Sequence, residues 1–439
     1  MNPNTDSAFW MPFTANRDFE RAPRRVASAS RHHYQTTDGR SVYDMFSGLW
    51  TSGLGHCHPA ITEAIAHQAG VLDFNMSFQF GNELAPRLAD RLTALAPDHL
   101  EHCFFTNSGS ESVDTALKIA LAYHRACGQP ERTMLIGRQR GYHGVNFGGM
   151  SVGGIPNNQK AFSGNLLPRV DHLPHTFNLA HNAFSKGQPG WGAHLADELS
   201  LLIDRHGAES IAAVIVEPVA GSTGILPPPV GYLEKLRQIC TDHGILLIFD
   251  EVITAFGRIG EPFAAQRFGV APDLITLAKG LTNGTVPMGA VLASDNIYQA
   301  FMTGPTETIE LFHGYTYSGH PLAAAAGLAT LDVYESELSF ASARNLEPQF
   351  EKAVHSLADH PLVIDVRNFG LMAGVDLAPD PDAPGRRGLE AHKRCFHEEN
   401  LVIRNAMDTL QFAPFLNAEI SDVERGIESV RRVLDHIDR

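Results

Sequence analysis

Five short apolar runs punctuate the middle of the chain: Met134-Leu135-Ile136, Ala213-Val214-Ile215-Val216, Ile245 to Phe249, Leu274 to Ala278 and Gly289-Ala290-Val291-Leu292. They are nearly continuous, do not alternate with charged residues, and are too short for helices, so they predict strands buried on both faces. Residues 193–206 and 231–242, between the runs, predict helices. Upstream, residues 59–70 and 83–95 read as helices. After Cys103-Phe104-Phe105-Thr106, the positions Val113, Ala116, Leu117, Ala120 and Leu121 fall on one helical face. Strands alternating with helices predict a mostly parallel sheet covered on both sides, the core of an α/β domain.

The two ends have a different texture. Residues 7–47 look irregular apart from a hairpin, Tyr34-Gln35-Thr36 and Ser41-Val42-Tyr43 about a turn at Asp38-Gly39. Past residue 320, helical stretches at 321–335 and 340–358 precede shorter strands near Val363 and Gly374-Val375-Asp376. Ala378 to Gly388 carries three prolines and reads as a loop, since strand and helix patterns resume beyond it. Ser421-Asp422-Val423-Glu424 predicts a capping box for a last helix that turns Val423, Ile427, Val430 and Leu434 inward. The expected organisation is a large domain over 60–320 and a smaller α+β lobe over 321–439, with residues 1–59 contributing to the small lobe.

Composition narrows the class without naming a function. A chain of 439 residues, 44% hydrophobic and 19% charged, can bury a large core. Its net charge of −15 argues against nucleic acid and anionic membranes as partners. Five scattered cysteines without a C-x-x-C pair fit reduced thiols. Met1 to Asp6 lacks the basic and apolar regions of a secretory leader, so a cytoplasmic enzyme is expected. No apolar stretch approaches the ~18 residues of a membrane helix.

Candidate chemistry sits at the ends of the runs. Parallel sheets collect ligands at strand ends, and Glu217, Asp250 and Lys279 each follow an apolar run. A lysine whose amine condenses with an aldehyde, and an aspartate that keeps a pyridine nitrogen protonated, are what pyridoxal 5'-phosphate requires. Thr106-Asn107-Ser108-Gly109-Ser110-Glu111, between a strand and a helix, offers free N–H groups and a hydroxyl to a phosphate. Simple N-capping by Ser108 or Ser110 is the competing use. Val252 would lie against one face of the ring and Tyr142 against the other, a core tyrosine being the alternative. Arg404, in the apolar run Leu401-Val402-Ile403-Arg404, suits a substrate carboxylate or a structural salt bridge, for example to Glu217. Gly149-Met150-Ser151-Val152-Gly153 fits the G-x-S-x-G pattern of a serine hydrolase, but Gly154-Ile155-Pro156 is a poor start for the helix that pattern needs. His32-His33 and His56-Cys57-His58 lack zinc spacing, so no metal is expected.

Taken together, Ser108-Gly109-Ser110-Glu111, Gly141-Tyr142-His143-Gly144, Val216-Glu217-Pro218, Phe249-Asp250-Glu251-Val252, Ala278-Lys279-Gly280 and His313-Gly314-Tyr315-Thr316-Tyr317-Ser318 resemble the class III (ω-) aminotransferases of PLP fold type I. Trp10-Met11-Pro12-Phe13-Thr14-Ala15-Asn16-Arg17, Ser47-Gly48-Leu49-Trp50 and Asp408-Thr409-Leu410-Gln411-Phe412 look like the β-alanine/ω-amino acid:pyruvate group. The resemblance implies that Lys279 holds the cofactor and moves the proton, and that Gly109, Ser110 and a second subunit's Thr316 bind its phosphate. It implies that Asp250 pairs with the ring nitrogen, with Glu217 beside the cofactor and Tyr142 and Val252 about the ring. It places Trp50, Phe78, Arg404 and Gln411 at the substrate, in a homodimer or higher oligomer. Asn75-Met76-Ser77-Phe78, Gly319 and Asn405-Ala406-Met407 depart from the usual pattern and leave the donor open between β-alanine, 4-aminobutyrate, a polyamine, taurine and an arylalkylamine, with an aminomutase as a further alternative.

Overall fold

The computed structural model describes residues 8–438; the Met1 to Asp6 stretch read for a leader lies outside them. Three strands open the chain: β1 (Val26–Ser30), β2 (His33–Thr36) and β3 (Ser41–Asp44). The central ones are β4 (His102–Thr106), β5 (Met134–Arg138), β6 (Val170–Leu173), β7 (Ile211–Val216), β8 (Leu246–Asp250), β9 (Leu274–Leu277) and β10 (Gly289–Ala293). The last are β11 (Val363–Phe369), β12 (Met372–Leu377), β13 (Leu401–Val402), β14 (Arg404–Ala406) and β15 (Thr409–Phe412).

The central sheet runs β4-β10-β9-β8-β7-β5-β6. The pairs from β9 to β6 are all parallel, whereas β10 runs antiparallel to both neighbours. All five apolar runs form strands here. Each is buried on both sides because side chains alternate between two cores. Leu246 and Ile248 face the helix Gly109–Ala126 through Val113, Ala116 and Leu117. Leu247 and Phe249 face the opposite core with Leu233 and Leu236 of the helix Tyr232–Asp242. The edge strand β6 has no counterpart among the runs, since Val-Asp-His-Leu keeps three partly exposed positions.

Two smaller sheets flank this core. One is β1-β2-β3-β13, where β13 pairs parallel to β3 and ties the two ends of the chain together. The other is the antiparallel β11-β12-β15-β14. The helix Pro321–Ser336 packs on Pro59–Val71 and Leu84–Leu95, with Pro321 in the first turn where its missing N–H costs nothing.

Three local expectations shift. The last helix is Ile420–Leu434; it begins at Ile420, which packs on the core, so Ser421 is not its cap and Asp422 pairs with Arg425 instead. The 193–206 stretch starts as a 3₁₀ turn, Ala193–Asp197, and is α-helical only from Glu198. The helix after the proline-rich loop begins at Arg386, inside the expected loop, because Gly388 lets it lie against Met407. Among the described residues no helix is long and apolar enough to cross a membrane.

Candidate active site

The carboxyl ends of β7 and β8 and the turn after β9 converge on one cleft lined by Ser108, Gly109, Ser110, Tyr142, His143, Glu217, Asp250, Val252 and Lys279. Asp250 ends β8 in register with Thr276 of β9. Its Oδ1 accepts from the Thr276 hydroxyl at 3.0 Å and from Val252 N at 3.2 Å. Its Oδ2 lies 2.8 Å from Nδ1 of His143. Asp250 and His143 are both buried, and Nε2 of His143 has no partner. The acid is therefore oriented from two sides.

Lys279 opens a 3₁₀ turn at φ 46°, a left-handed backbone that a lysine adopts only when its surroundings hold it there. The Gly284 N–H donates to its carbonyl at 3.2 Å, closing the turn. Its amine has no hydrogen bond or ion pair among the described residues. Burial pulls its pKa down to about 8, more than the Asp250 and Glu217 charges raise it, and Arg404 lowers it further.

At the other end of the cleft, the Ser108 hydroxyl accepts from Glu111 N at 3.2 Å and caps the helix Gly109–Ala126. The capping reading of Ser108 thus holds, and Ser110 is not the cap: its hydroxyl accepts from Val145 N at 3.1 Å and keeps its own proton to donate. Among the described residues the Gly109 and Ser110 N–H groups have no partner in the chain. A Cβ on Gly109 would meet Val252 Cγ1 at 3.0 Å, so only glycine keeps that side of the cleft open. Gly144 adopts φ 90°, and a Cβ there would lie 2.4 Å from the Ser110 hydroxyl oxygen.

Glu217 is buried at the end of β7 and accepts from Tyr142 N at 2.8 Å and Gly221 N at 2.9 Å. Burial raises its pKa, with Asp250 adding to the effect. These bonds fix Tyr142, which lines the cleft rather than the core, and they spend Glu217 on backbone. The salt bridge from Glu217 to Arg404 does not form.

Arg404 faces Gln411 across the β14–β15 pair and donates to its Oε1. It also donates to the Ser222 carbonyl at 3.1 Å and lies 5.1 Å from the centre of the Trp50 ring. Among the described residues no carboxylate neutralises it, and burial lowers its pKa. Trp50 is buried too, and its indole N–H has no partner. A guanidinium bonded only to neutral oxygens, beside an N–H with no acceptor, suits an anionic ligand.

The segment Gly221–Ile225 forms a strap beside this corner. Gln411 Nε2 donates to the Gly221 carbonyl at 3.0 Å. Arg140 holds the Thr223 carbonyl at 2.7 Å, and Arg367 holds those of Gly224 and Ile225. The strap presses on β12 so closely that a Cβ on Gly374 would sit 2.3 Å from the Gly224 carbonyl oxygen.

Thr316 and Phe78 lie elsewhere. Both are exposed, and they meet each other's segments: the Ser77 hydroxyl donates to the Thr316 carbonyl at 3.0 Å, while Phe78 closes on Gly314. They do not line this chain's own cleft. Ser151 of the G-x-S-x-G pattern is buried in the short helix Phe147–Val152, donates to Phe147 O at 2.6 Å and accepts from Leu167 N at 2.8 Å. No nucleophile elbow forms there. Among the described residues no three His, Cys, Asp or Glu side chains are grouped to hold a metal. His143 escaped the sequence reading because nothing in Gly141-Tyr142-His143-Gly144 shows that its loop folds onto β8.

The cleft fits pyridoxal phosphate on its own geometry. A free amine faces a braced carboxylate across a space that two glycines keep clear, and bare helix N–H groups stand at one end.

A family model described as aminotransferase class-III matches residues 15–434. An omega-aminotransferase of Caulobacter vibrioides is 58% identical over 435 residues, 99% of each chain. A beta-alanine–pyruvate aminotransferase of Pseudomonas aeruginosa is 50% identical over 434 residues, 98% of this chain and 96% of the relative. Among solved structures, a PLP-bound amine transaminase from an uncultivated Pseudomonas species superposes with a TM-score of 0.89 at 32% identity, covering 98% of this chain and 99% of that one.

Proposed function

The chain belongs to the class III aminotransferases, and from that membership we propose that it moves an amino group from an ω-amino acid or primary amine, β-alanine among them, to pyruvate, giving an aldehyde or ketone and alanine. The observation that carries this reading is the pairing, in one corner of the fold, of an unpaired Lys279 amine with an Arg404 that no carboxylate neutralises. Pyridoxal phosphate supplies an electron-poor ring that draws electrons from the substrate carbon bearing the amine.

Each residue's part follows from its surroundings. Gly109 and Ser110 grip the phosphate with their N–H groups and the Ser110 hydroxyl. Asp250, held by His143 and Thr276, keeps the ring nitrogen cationic. Tyr142 and Val252, which both line the cleft, would border the ring, and Glu217 fixes the Tyr142 backbone. Lys279 would hold the cofactor through its amine and, as the free amine, would act as the base that takes the proton from the substrate carbon. A pKa near 8 suits a group that must both accept and give up a proton close to neutrality. Arg404 receives the carboxylate of pyruvate or of an ω-amino acid, and turns aside for an uncharged amine. Trp50 and Gln411 flank it.

A second copy completes the site in this reading. Thr316 and Phe78 serve the partner's cleft, in a homodimer or a higher assembly with the same pairing. The exposed side chains of Phe74, Met76, Phe78, Phe80, Phe312 and Tyr317 supply an apolar surface for that contact. Five free cysteines suit a reducing compartment such as the cytoplasm.

The test is a visible spectrum of the purified holoenzyme before and after β-alanine, then pyruvate. The cofactor band should bleach with the amine and return with pyruvate. Lys279→Ala should abolish turnover, and wild-type activity in that variant would end the proposal.

A further inference from the structure

Trp50 reaches the site on an unusual piece of backbone. Ser47, Gly48, Leu49 and Trp50 have φ of 44°, 63°, 90° and 60°, a full turn of left-handed helix in which only one residue is glycine. The Trp50 N–H donates to the Phe46 carbonyl at 3.1 Å and the Thr51 N–H to the Ser47 carbonyl at 2.9 Å, so the turn is closed. L-residues disfavour this hand because Cβ crowds the following carbonyl. Something in the surroundings must hold it.

The surroundings supply one candidate. Asp44, at the end of β3, is fully buried. Its Oδ1 accepts from Phe46 N at 2.9 Å, and its Oδ2 accepts from Gly48 N at 2.6 Å. Nε2 of His56 lies 2.9 Å from the same Oδ2. Burial and the neighbouring Asp44 also raise the Tyr34 hydroxyl well above the usual tyrosine range, so the tyrosine stays a neutral donor beside the acid. The far side of the turn is anchored by the Ser47 hydroxyl, which donates to the Ala413 carbonyl at 2.6 Å, one residue beyond β15. Asp44 touches neither the cleft lining nor Arg404, yet it fixes the start of the turn that puts the Trp50 ring against the guanidinium.

We propose that Asp44 is a positioning residue for carboxylate recognition: its buried carboxylate imposes the left-handed turn Ser47–Trp50 and thereby holds Trp50 against Arg404. This rests on the reading of Arg404 as the carboxylate receptor. It adds that the receptor's geometry is set from the N-terminal segment, by an acid that never meets the substrate. Within the turn the residue most opposed to its backbone is Leu49, at φ 90° with its side chain half exposed. Glycine takes that conformation freely, so a glycine at 49 removes most of the need for an external clamp.

The experiment measures steady-state kinetics of the holoenzyme with pyruvate and β-alanine, and with a neutral arylalkylamine as donor. Near-ultraviolet circular dichroism in the tryptophan region is recorded in parallel. Asp44→Asn should raise KM for both carboxylate substrates roughly tenfold with a smaller change for the neutral amine, and should alter the tryptophan band. Leu49→Gly alone should behave as wild type, and in the Asp44→Asn background it should restore both the band and the carboxylate KM. Wild-type kinetics in Asp44→Asn, an equal loss for all donors, or a failure of Leu49→Gly to rescue would each overturn the proposal. Arg404→Leu separates the two readings. If it leaves the carboxylate KM untouched, the receptor reading fails, and the positioning claim then stands or falls on the loss and rescue of the tryptophan band.

Discussion

Lys279 sits where burial outweighs the attraction of two carboxylates, and its proton leaves near pH 8 instead of at the ordinary lysine value. The lowering has a direct kinetic consequence. Only the neutral amine attacks an aldehyde, and its fraction rises with pH until the pKa is passed, then levels off. Capture of pyridoxal phosphate by the apoenzyme should therefore speed up about tenfold per pH unit below about 8 and flatten above it. Stopped-flow absorbance gives the profile, and a rise that continues past pH 10 would show that the site does not lower the lysine. At this scale the sequence was informative where one residue type at one place has few other uses. Lys279 and Asp250 each end a buried run, and Gly109-Ser110 opens a helix after another. It was silent about His143 and Asp44, whose importance lies in what folds onto them. For Arg404 it left two readings open, and the structure removed the salt bridge to Glu217 because Glu217 is already used by two backbone N–H groups.

Among the elements, the short helix Ala264–Phe268 is tied to the active-site strand by a single acid. Glu251, next to Asp250, is fully buried and accepts from Ala264 N, Ala265 N and the Thr254 hydroxyl. Burial pushes its pKa up to about 7 despite those donors. A carboxyl raised in the folded state keeps its proton where the unfolded chain has lost it. Stability contributed by this group is therefore full below the ordinary glutamate value and falls as pH rises to about 7, by something on the order of 3 kcal/mol if it titrates alone. Urea denaturation of the holoenzyme between pH 5 and 8 should show that decline, and Glu251→Gln should flatten it. An unchanged slope in the variant would assign the dependence to other groups. The elements themselves were well marked wherever a strand is buried on both faces, since hydrophobicity alone then writes it into the chain. β6 and β14 were not, because edge positions carry polar residues, and the last helix began earlier because Ile420 finds a core contact that outweighs the Ser421 cap.

The whole molecule is where this chain's own cleft is incomplete in the proposed reading. In that reading Lys279 serves its own chain's cleft and Thr316 the partner's, so two defective chains can repair each other. Lys279→Ala and Thr316→Asp, the second placing a negative charge against the phosphate, should each be inactive as a homodimer. Refolded together, they should regain activity toward one quarter of wild type, since half of the dimers are hybrid and each hybrid has one intact site. Mixtures no more active than their parents would place Thr316 outside the site. The division of sheets was legible in outline: the central one is built from residues 102–293, and the flanking ones from the two ends of the chain. What the pattern did not reveal was that β13 joins β3, because a two-residue strand has no periodicity to detect.

The strap Gly221–Ile225 gives this architecture a direction in time. It follows a strand near the middle of the chain, but its carbonyls are gripped by Arg367, Arg404 and Gln411, which come much later. A chain leaving the ribosome can therefore finish its central sheet once Ala293 has emerged, while the wall beside its lysine is held only from within, by Glu217, Arg140 and its own turns. The nascent protein thus carries Lys279 and Asp250 well before Arg367, Arg404 and Gln411, the residues that complete this wall.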